Sequence, residues 1–127
     1  KDHDVGIRVV GCQPLASPVM ARSIEAGEVL ELPSGPTLSD GTAGGIEPDA
    51  ITFPLNRAVV DDWVVVDEEQ IAGAMKTYME SEGDVIEGAA GVAVAGLLER
   101  AGDVAGKKVV VVICGGNISS QTLNQLE

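Results

Sequence analysis

The chain has 127 residues, of which 45% are hydrophobic and 2% aromatic, and its formal net charge is −12. The apolar fraction excludes a disordered chain, and the length suffices for one domain with an aliphatic core. The acidic balance argues against nucleic acid and anionic membrane surfaces as partners, because no basic stripe can neutralise phosphates. No uninterrupted apolar run approaches the length of a membrane span. We therefore expect a single α/β domain over residues 1–127.

The two cysteines, Cys12 and Cys114, both stand at the ends of apolar runs. This is not the pattern of a disulfide framework, so it favours a reduced compartment. The polar residues 1–4 do not have the composition of a signal peptide. We therefore expect a cytoplasmic protein.

The first third of the chain predicts a strand, a helix and a second strand. Ile7–Cys12 has the composition of a strand, and Ser17 followed by Pro18 predicts a helix that begins at a serine cap. We expect this helix to end at Gly27, and the short apolar run Val29–Leu32 predicts an edge strand.

The stretch from residue 33 to residue 48 is rich in proline and glycine, which is typical of a surface linker. It also contains Leu38, Ala43 and Ile46, whose apolar side chains would hold it against the domain. A long ordered loop in a compact domain usually carries function. The sequence leaves both interpretations open.

Two helices flank a further strand in the middle of the chain. Asp49 predicts the cap of a helix that extends to about Val60, and Trp63–Val66 follows as an apolar strand. Asp67 and Gln70 form a capping-box pattern, which predicts the start of a long helix. The expected buried side chains are Phe53, Leu55, Ala58 and Val59 in the first helix and Ile71, Ala74, Met75 and Tyr78 in the second.

The last third predicts a helix of small residues, a central strand and a final helix. Gly91 and Gly96 each cost about 1 kcal/mol of helix stability relative to alanine, so we expect the helix backbone to approach a neighbour closely there. Val109–Cys114 contains six consecutive apolar residues, which predicts a strand buried on both faces of a mostly parallel sheet. The turn after such a strand is where open α/β sheets bind ligands. A last helix is expected from Ser119 to Glu127.

Few side chains have the pattern of a catalytic group. Cys114 has no histidine base in reach of a nucleophilic mechanism, since the single His3 lies in the polar tail. We interpret the acidic pairs at residues 61–62 and 68–69 as solvated helix and strand caps. Glu87 stands between apolar residues, and two hypotheses remain open for it. It either caps its own helix or faces the same crevice as Cys114.

Three blocks of sequence occur in a characteristic order over essentially the whole chain. They are Val9–Pro14, then Thr37–Gly41 with Val59–Val66, and finally Glu87–Gly91 with Val111–Asn117. This combination resembles the threonine/serine dehydratases and serine racemases of the tryptophan-synthase-β class of pyridoxal-phosphate enzymes. The segment from residue 32 to residue 45 is also similar to the hydroxyectoine-utilisation dehydratase branch of that family.

The resemblance implies pyridoxal 5'-phosphate as the cofactor of the parent enzyme. It also implies a reaction in which a hydroxy-amino acid is converted to a 2-oxo acid and ammonia. Cys114 would hydrogen-bond the pyridine nitrogen, Gly41 would lie against the ring, and Glu87 and Gly115 would complete the cofactor-binding residues. The resemblance leaves open whether the parent is a dehydratase or a racemase.

The departures from the family pattern limit what this chain is expected to do. The lysine that carries the cofactor and the glycine-rich phosphate loop match segments upstream of residue 1, so the resemblance covers only the carboxyl-terminal part of the large domain. Gln13 and Val19 stand where some members have acidic metal ligands, and we therefore predict no metal site.

We accordingly expect an incomplete α/β domain with helices on both faces of its sheet, without a catalytic residue of its own. Alone, the chain is expected to be inactive and not to retain the cofactor. The alternative is a stand-alone, non-catalytic domain that forms a dimer or another homo-oligomer through its uncovered sheet edge or apolar surface.

Overall fold

Two parallel strands, β1 (Val10–Pro14) and β2 (Asp62–Val66), form the sheet of the computed structural model, which describes residues 4 and 6–126. Val10 pairs with Asp62 and Pro14 with Val66, so the two strands are in register along their whole length. This confirms the predicted α/β class with a parallel sheet. The helices are α1 (Val19–Ala26), α2 (Thr52–Val59), α3 (Glu68–Glu82), α4 (Gly88–Glu99), α5 (Ala101–Val104) and α6 (Ser120–Leu126), and Asp40–Thr42 form a 3-10 turn.

The hydrophobic core lies between the sheet and the pair α3 and α4. Val64 and Val66 point from β2 into this core, where they meet Ile71 and Met75 of α3 and Val92 of α4, all buried. The predicted capping box at the start of α3 is present. The expected buried side chains of α3 are confirmed, with Tyr78 partly buried at the margin.

The small residues of α4 allow its backbone to touch three neighbours. A Cβ added at Gly91 would lie 2.6 Å from Met75 Cγ, and one at Gly96 would collide with the Cys12 side chain of β1. A Cβ at Gly88 would collide with the backbone carbonyl of Leu38. The predicted close approach at Gly91 and Gly96 is therefore confirmed. Although α4 is apolar nearly all round, no helix in the described residues is long and apolar enough to cross a membrane.

The opposite face of the sheet carries α1. Side chains alternate between faces along a strand, so Gln13 points away from Cys12. Its Oε1 accepts a hydrogen bond from the Ala21 N–H, 2.7 Å away, in the first turn of α1. The predicted serine cap is wrong: Pro18 is the capping residue and supplies no side-chain hydrogen bond. The amide of Gln13 replaces that missing cap because it reaches across from β1.

The loop from residue 33 to residue 48 is held in place by polar contacts as well as apolar ones. Ser17 is fully buried, and its hydroxyl lies 2.7 Å from Ser34 Oγ and accepts from the Gly44 N–H at 3.0 Å. Leu38, Ala43 and Ile46 are all partly buried. The loop is therefore an ordered part of the domain, as one of the two interpretations of its sequence required.

Helix α2 differs from its prediction in both its start and its buried side. It begins at Thr52 rather than near Asp49. Phe53 and Val59 are partly buried, whereas Ala58 is exposed and Leu55 has 57% of its surface exposed. The apolar spacing is real, but this helix has few neighbours in the described residues and packs mainly against α1.

The strand predicted at Val109–Cys114 is absent from the described residues, and so is the edge strand predicted at Val29–Leu32. Val110 and Val112 have 90% and 69% of their surfaces exposed. A strand requires a hydrogen-bonded neighbour, and within residues 6–126 β1 and β2 pair only with each other. The apolar run therefore remains an unpaired segment, which we call the unpaired segment (residues 109–113).

The contact between Gly88 and Leu38 predicts a large effect for a single methyl group. Gly88→Ala should lower the free energy of unfolding by about 1–3 kcal/mol, because a backbone carbonyl cannot rotate away from the added Cβ. Gly73→Ala is the matched control on α3, where a Cβ meets nothing within 4 Å. It should instead stabilise the chain by about 1 kcal/mol through helix propensity. Urea unfolding of both variants tests this, and equal shifts would contradict the packing.

Candidate functional site

A cleft of about 620 Å³ lies where the loop at residues 36–41 meets the starts of α3 and α4. Its remaining wall is formed by residues 117–119 and by Thr122 of α6. The start of α3 directly follows the carboxyl end of β2, so the cleft adjoins the edge of the sheet at which parallel α/β folds bind ligands. We call it the α4 cleft. Gly41, Glu68 and Glu87 are among the residues that line it.

Glu87 is the capping residue of α4, but its carboxylate does not cap that helix. Its Oε1 accepts a hydrogen bond of 2.8 Å from the Asn117 N–H, and its own N–H donates to the Gly115 carbonyl at 3.1 Å. Of the two hypotheses for Glu87, the cap of its own helix is therefore wrong. The carboxylate instead clamps the Gly-Gly-Asn turn against the start of α4.

Gly115 is required at this turn for two independent reasons. Its φ of +100° belongs to a region that favours glycine. A Cβ there would lie 2.6 Å from the carboxyl carbon of Glu87. This clamp, the contact between the Glu87 carboxylate and the turn, therefore depends on both residues. Glu87 supplies the hydrogen-bond acceptor, and Gly115 leaves the space that the carboxylate occupies.

Gly41 is exposed on the wall of the α4 cleft, and nothing in the chain's own packing requires a glycine there. Its φ is not in the left-handed region, and an added Cβ would make only an ordinary contact of 3.9 Å with Ala89. This contrasts with Gly88 across the cleft, which packs against the backbone of Leu38. A bare backbone at Gly41 leaves room for a flat group in the cleft.

Cys114 is exposed and does not line the α4 cleft, although it directly precedes the clamped turn. The structure thus brings Gly41 and Glu87 to one cleft and Gly115 into contact with Glu87, and it leaves Cys114 outside that wall. The other cysteine, Cys12, has its pKa raised by burial and packs against α4. In the part of the chain that the structure describes, no group of three acidic, histidine or cysteine residues could hold a metal ion.

Glu68 is a cleft residue that the sequence did not reveal. Its Oε2 accepts a hydrogen bond of 2.7 Å from the Leu38 N–H. Its Oε1 is buried and has no hydrogen-bond partner among the described residues. The interpretation of Glu68 as a solvated cap is therefore wrong, whereas its neighbour Glu69 is exposed. The available signal was its position directly after the carboxyl end of a parallel strand.

Comparison with known proteins gives the same family from sequence and from structure. The profile described as "Pyridoxal-phosphate dependent enzyme" matches residues 1–115. The chain belongs to this family. L-threonine ammonia-lyase of Thermotoga maritima is 39% identical over 126 residues, which are 99% of this chain and 31% of that protein. The enzyme of the same name from Geobacter sulfurreducens is 36% identical over 118 residues, 93% of this chain and 29% of that protein.

The structure of maize serine racemase superimposes on this member of the pyridoxal-phosphate-dependent family with a TM-score of 0.85 and 30% identity. The match covers 98% of this chain and 39% of the racemase. The resemblance to the threonine/serine dehydratase and serine racemase family is therefore confirmed. The chain spans about a third of the length of the relatives it matches.

The residues of the α4 cleft fit the family's cofactor on observations of this chain alone. Gly41 offers a backbone without a side chain, and the cleft volume of about 620 Å³ is large enough for the pyridine ring of the cofactor. The arrangement can thus hold one side of a flat, polar cofactor.

The clamp predicts how the turn responds to substitution. Gly115→Ala should speed amide hydrogen exchange at Asn117 by at least about tenfold, because the added Cβ displaces the carboxylate that accepts from it. Glu87→Ala should have the same effect, and Glu87→Gln should largely preserve protection since its amide oxygen still accepts. Gly102→Ala is the control, because a Cβ at that position meets nothing within 4 Å. An unchanged exchange rate at Asn117 in Gly115→Ala would contradict the clamp.

Proposed function

We propose that this chain forms one wall of the pyridoxal-phosphate site of a serine/threonine-type ammonia-lyase, which converts a hydroxy-amino acid to a 2-oxo acid and ammonia. The observation that carries the proposal is Gly41, a glycine that the chain's own packing does not require, on the wall of a cleft shared with Glu87. The proteins from Thermotoga maritima and Geobacter sulfurreducens, both named L-threonine ammonia-lyase, support this reaction class.

Each predicted residue has a distinct role in this proposal. Pyridoxal phosphate, when bound, supplies the electron sink that permits water to leave a hydroxy-amino acid. Gly41 admits the ring because it has no side chain, and Glu87 and Gly115 fix the backbone of the turn beside it. Cys114 lies outside the α4 cleft in this chain, and its role is taken from the family resemblance alone: as a neutral hydrogen-bonding partner of the pyridine nitrogen it would leave that nitrogen largely unprotonated.

The chain by itself is proposed to be non-catalytic. Lys76, Lys107 and Lys108 are exposed, and none of these described lysines lines the α4 cleft. The relatives are about three times as long as the matched region, so most of their polypeptide has no counterpart here. The opposite wall of the site, with the lysine and the phosphate loop, belongs to that remainder.

A fused enzyme tests this proposal. In this fusion, residues 1–127 take the place of the matching segment of the Thermotoga maritima L-threonine ammonia-lyase. The fusion is expected to release a 2-oxo acid and ammonia from threonine or serine. Gly41→Leu should reduce kcat/KM by at least about a hundredfold, because its side chain occupies the space of the ring. Gly45→Leu, in the same loop but outside the cleft, should retain activity. A fully active Gly41→Leu fusion would contradict the proposal.

A second candidate function is favoured by the unpaired segment. Val110 and Val112 are 90% and 69% exposed, although apolar β-formers are rarely left in water as a contiguous group. The chain would then be a non-catalytic domain that dimerises by pairing this segment with its copy, as exposed strand edges do.

The oligomeric state of the isolated chain tests this second candidate. Size-exclusion chromatography with light scattering should give a dimer at micromolar concentration, and Val110→Lys combined with Val112→Lys should give a monomer. The matched control combines Ile51→Lys, directly before α2, with Leu55→Lys on α2; these side chains are 82% and 57% exposed, and the variant should remain dimeric. A wild-type chain that is monomeric under these conditions would eliminate the candidate.

A further inference from the structure

Glu68 and its exposed neighbour Glu69 share the first turn of α3 but differ in what they contact. Both carboxylates interact favourably with the positive end of the α3 helix dipole. Glu68 alone reaches across to the loop at residues 36–41, where its Oε2 accepts from the Leu38 N–H at 2.7 Å. A hydrogen bond to a charged acceptor is among the stronger ones in proteins. The helix dipole therefore does not account for the position of Glu68.

Leu38 is held from two sides at this point. Glu68 binds its N–H, and its carbonyl packs directly against Gly88, at the start of α4. A Cβ at Gly88 would also lie 2.7 Å from the nitrogen of Ser39. The backbone of Leu38 is thus fixed between α3 and α4. Glu68 provides the hydrogen bond on the α3 side, and Gly88 provides the packing contact on the α4 side.

The position of Leu38 sets the position of Gly41. Ser39 is fully buried, and its hydroxyl lies 2.5 Å from Thr42 Oγ1. The Thr42 N–H also donates to the Ser39 carbonyl at 3.0 Å. These short-range bonds make residues 39–42 a rigid turn, so a displacement of Leu38 would move Gly41 along with it.

The second carboxylate oxygen of Glu68 indicates that this placement has a cost. Oε1 is withdrawn from solvent without a hydrogen-bond partner among the described residues. A buried acceptor without a partner is destabilising, so its presence in a native fold calls for a structural or functional explanation. Glu68 also lines the α4 cleft together with Gly41.

We propose that Glu68 is a positioning residue for the cofactor: it holds Leu38 and thereby sets the distance between Gly41 and the start of α4. The inference rests on the proposed function, since Gly41 is positioned for the ring that the α4 cleft is proposed to bind. Glu68 itself takes no part in bond making or proton transfer in this proposal.

Three substitutions separate positioning from simple stabilisation. Glu68→Ala removes the acceptor, Glu68→Gln keeps a carbonyl oxygen for the Leu38 N–H, and Glu69→Ala removes the same charge from the exposed neighbour. In the full 127-residue chain, amide exchange at Leu38 should accelerate at least about tenfold in Glu68→Ala and stay near wild type in the other two.

The fused enzyme supplies the functional readout. Glu68→Ala should weaken pyridoxal phosphate binding by at least about tenfold, followed through cofactor absorbance, while its melting temperature in the absence of cofactor stays close to that of wild type. Glu68→Gln should restore affinity to within about threefold, and Glu69→Ala should be indistinguishable from wild type. If Glu68→Ala does not fold, Glu68→Asp replaces it, because its shorter side chain keeps the charge but cannot reach Leu38.

The outcomes distinguish this inference from the proposed function. Wild-type cofactor affinity in Glu68→Ala or Glu68→Asp would overturn the positioning role and leave the proposed function intact. Failure of Glu68→Gln to restore affinity would also overturn it. A folded wild-type fusion that binds no pyridoxal phosphate would overturn the proposed function, and the inference would fall with it.

Discussion

The packing of the fold depends on three glycines of α4, at positions where a side chain would collide with a neighbouring element. Gly88, Gly91 and Gly96 let the backbone of α4 touch the Leu38 loop, α3 and β1 in turn. Each glycine lowers helix propensity, and that cost is offset by packing the helix against three neighbours at distances that a methyl group would forbid. The same contacts place the start of α4 beside the loop that carries Gly41. The close approach of α4 to its neighbours therefore shapes both the hydrophobic core and the candidate site.

Local patterns predicted local structure well. The Asp67 and Gln70 capping box and the aliphatic strand β2 were readable because each depends on residues that are close in sequence. The strand expected at Val109–Cys114 was not found, because composition indicates the tendency to pair but cannot provide the partner. Ser17 illustrates the same limit: its hydroxyl binds Ser34 and the loop rather than the helix next to it.

The candidate site was predictable in part. Gly41 and Glu87 were assigned to one site from the order of motifs, and they line the same cleft. Glu68 was missed because an acidic residue in the first turn of a helix is ordinarily explained by the helix itself. Its partner, the Leu38 N–H, lies thirty residues earlier in the chain. Only the fold brings the two together, and no pattern of residue types announces a hydrogen bond to a backbone amide.

The unpaired segment has a consequence for residues 1–127 when they are isolated in solution. A short run of β-branched residues without a ladder partner has the composition that nucleates cross-β aggregates. Lys107 and Lys108 stand immediately before it, as charged gatekeepers that oppose the in-register stacking of identical chains. The net charge of −12 adds long-range repulsion between copies. Both charge effects therefore oppose aggregation of the isolated residues, and both are weakened by salt.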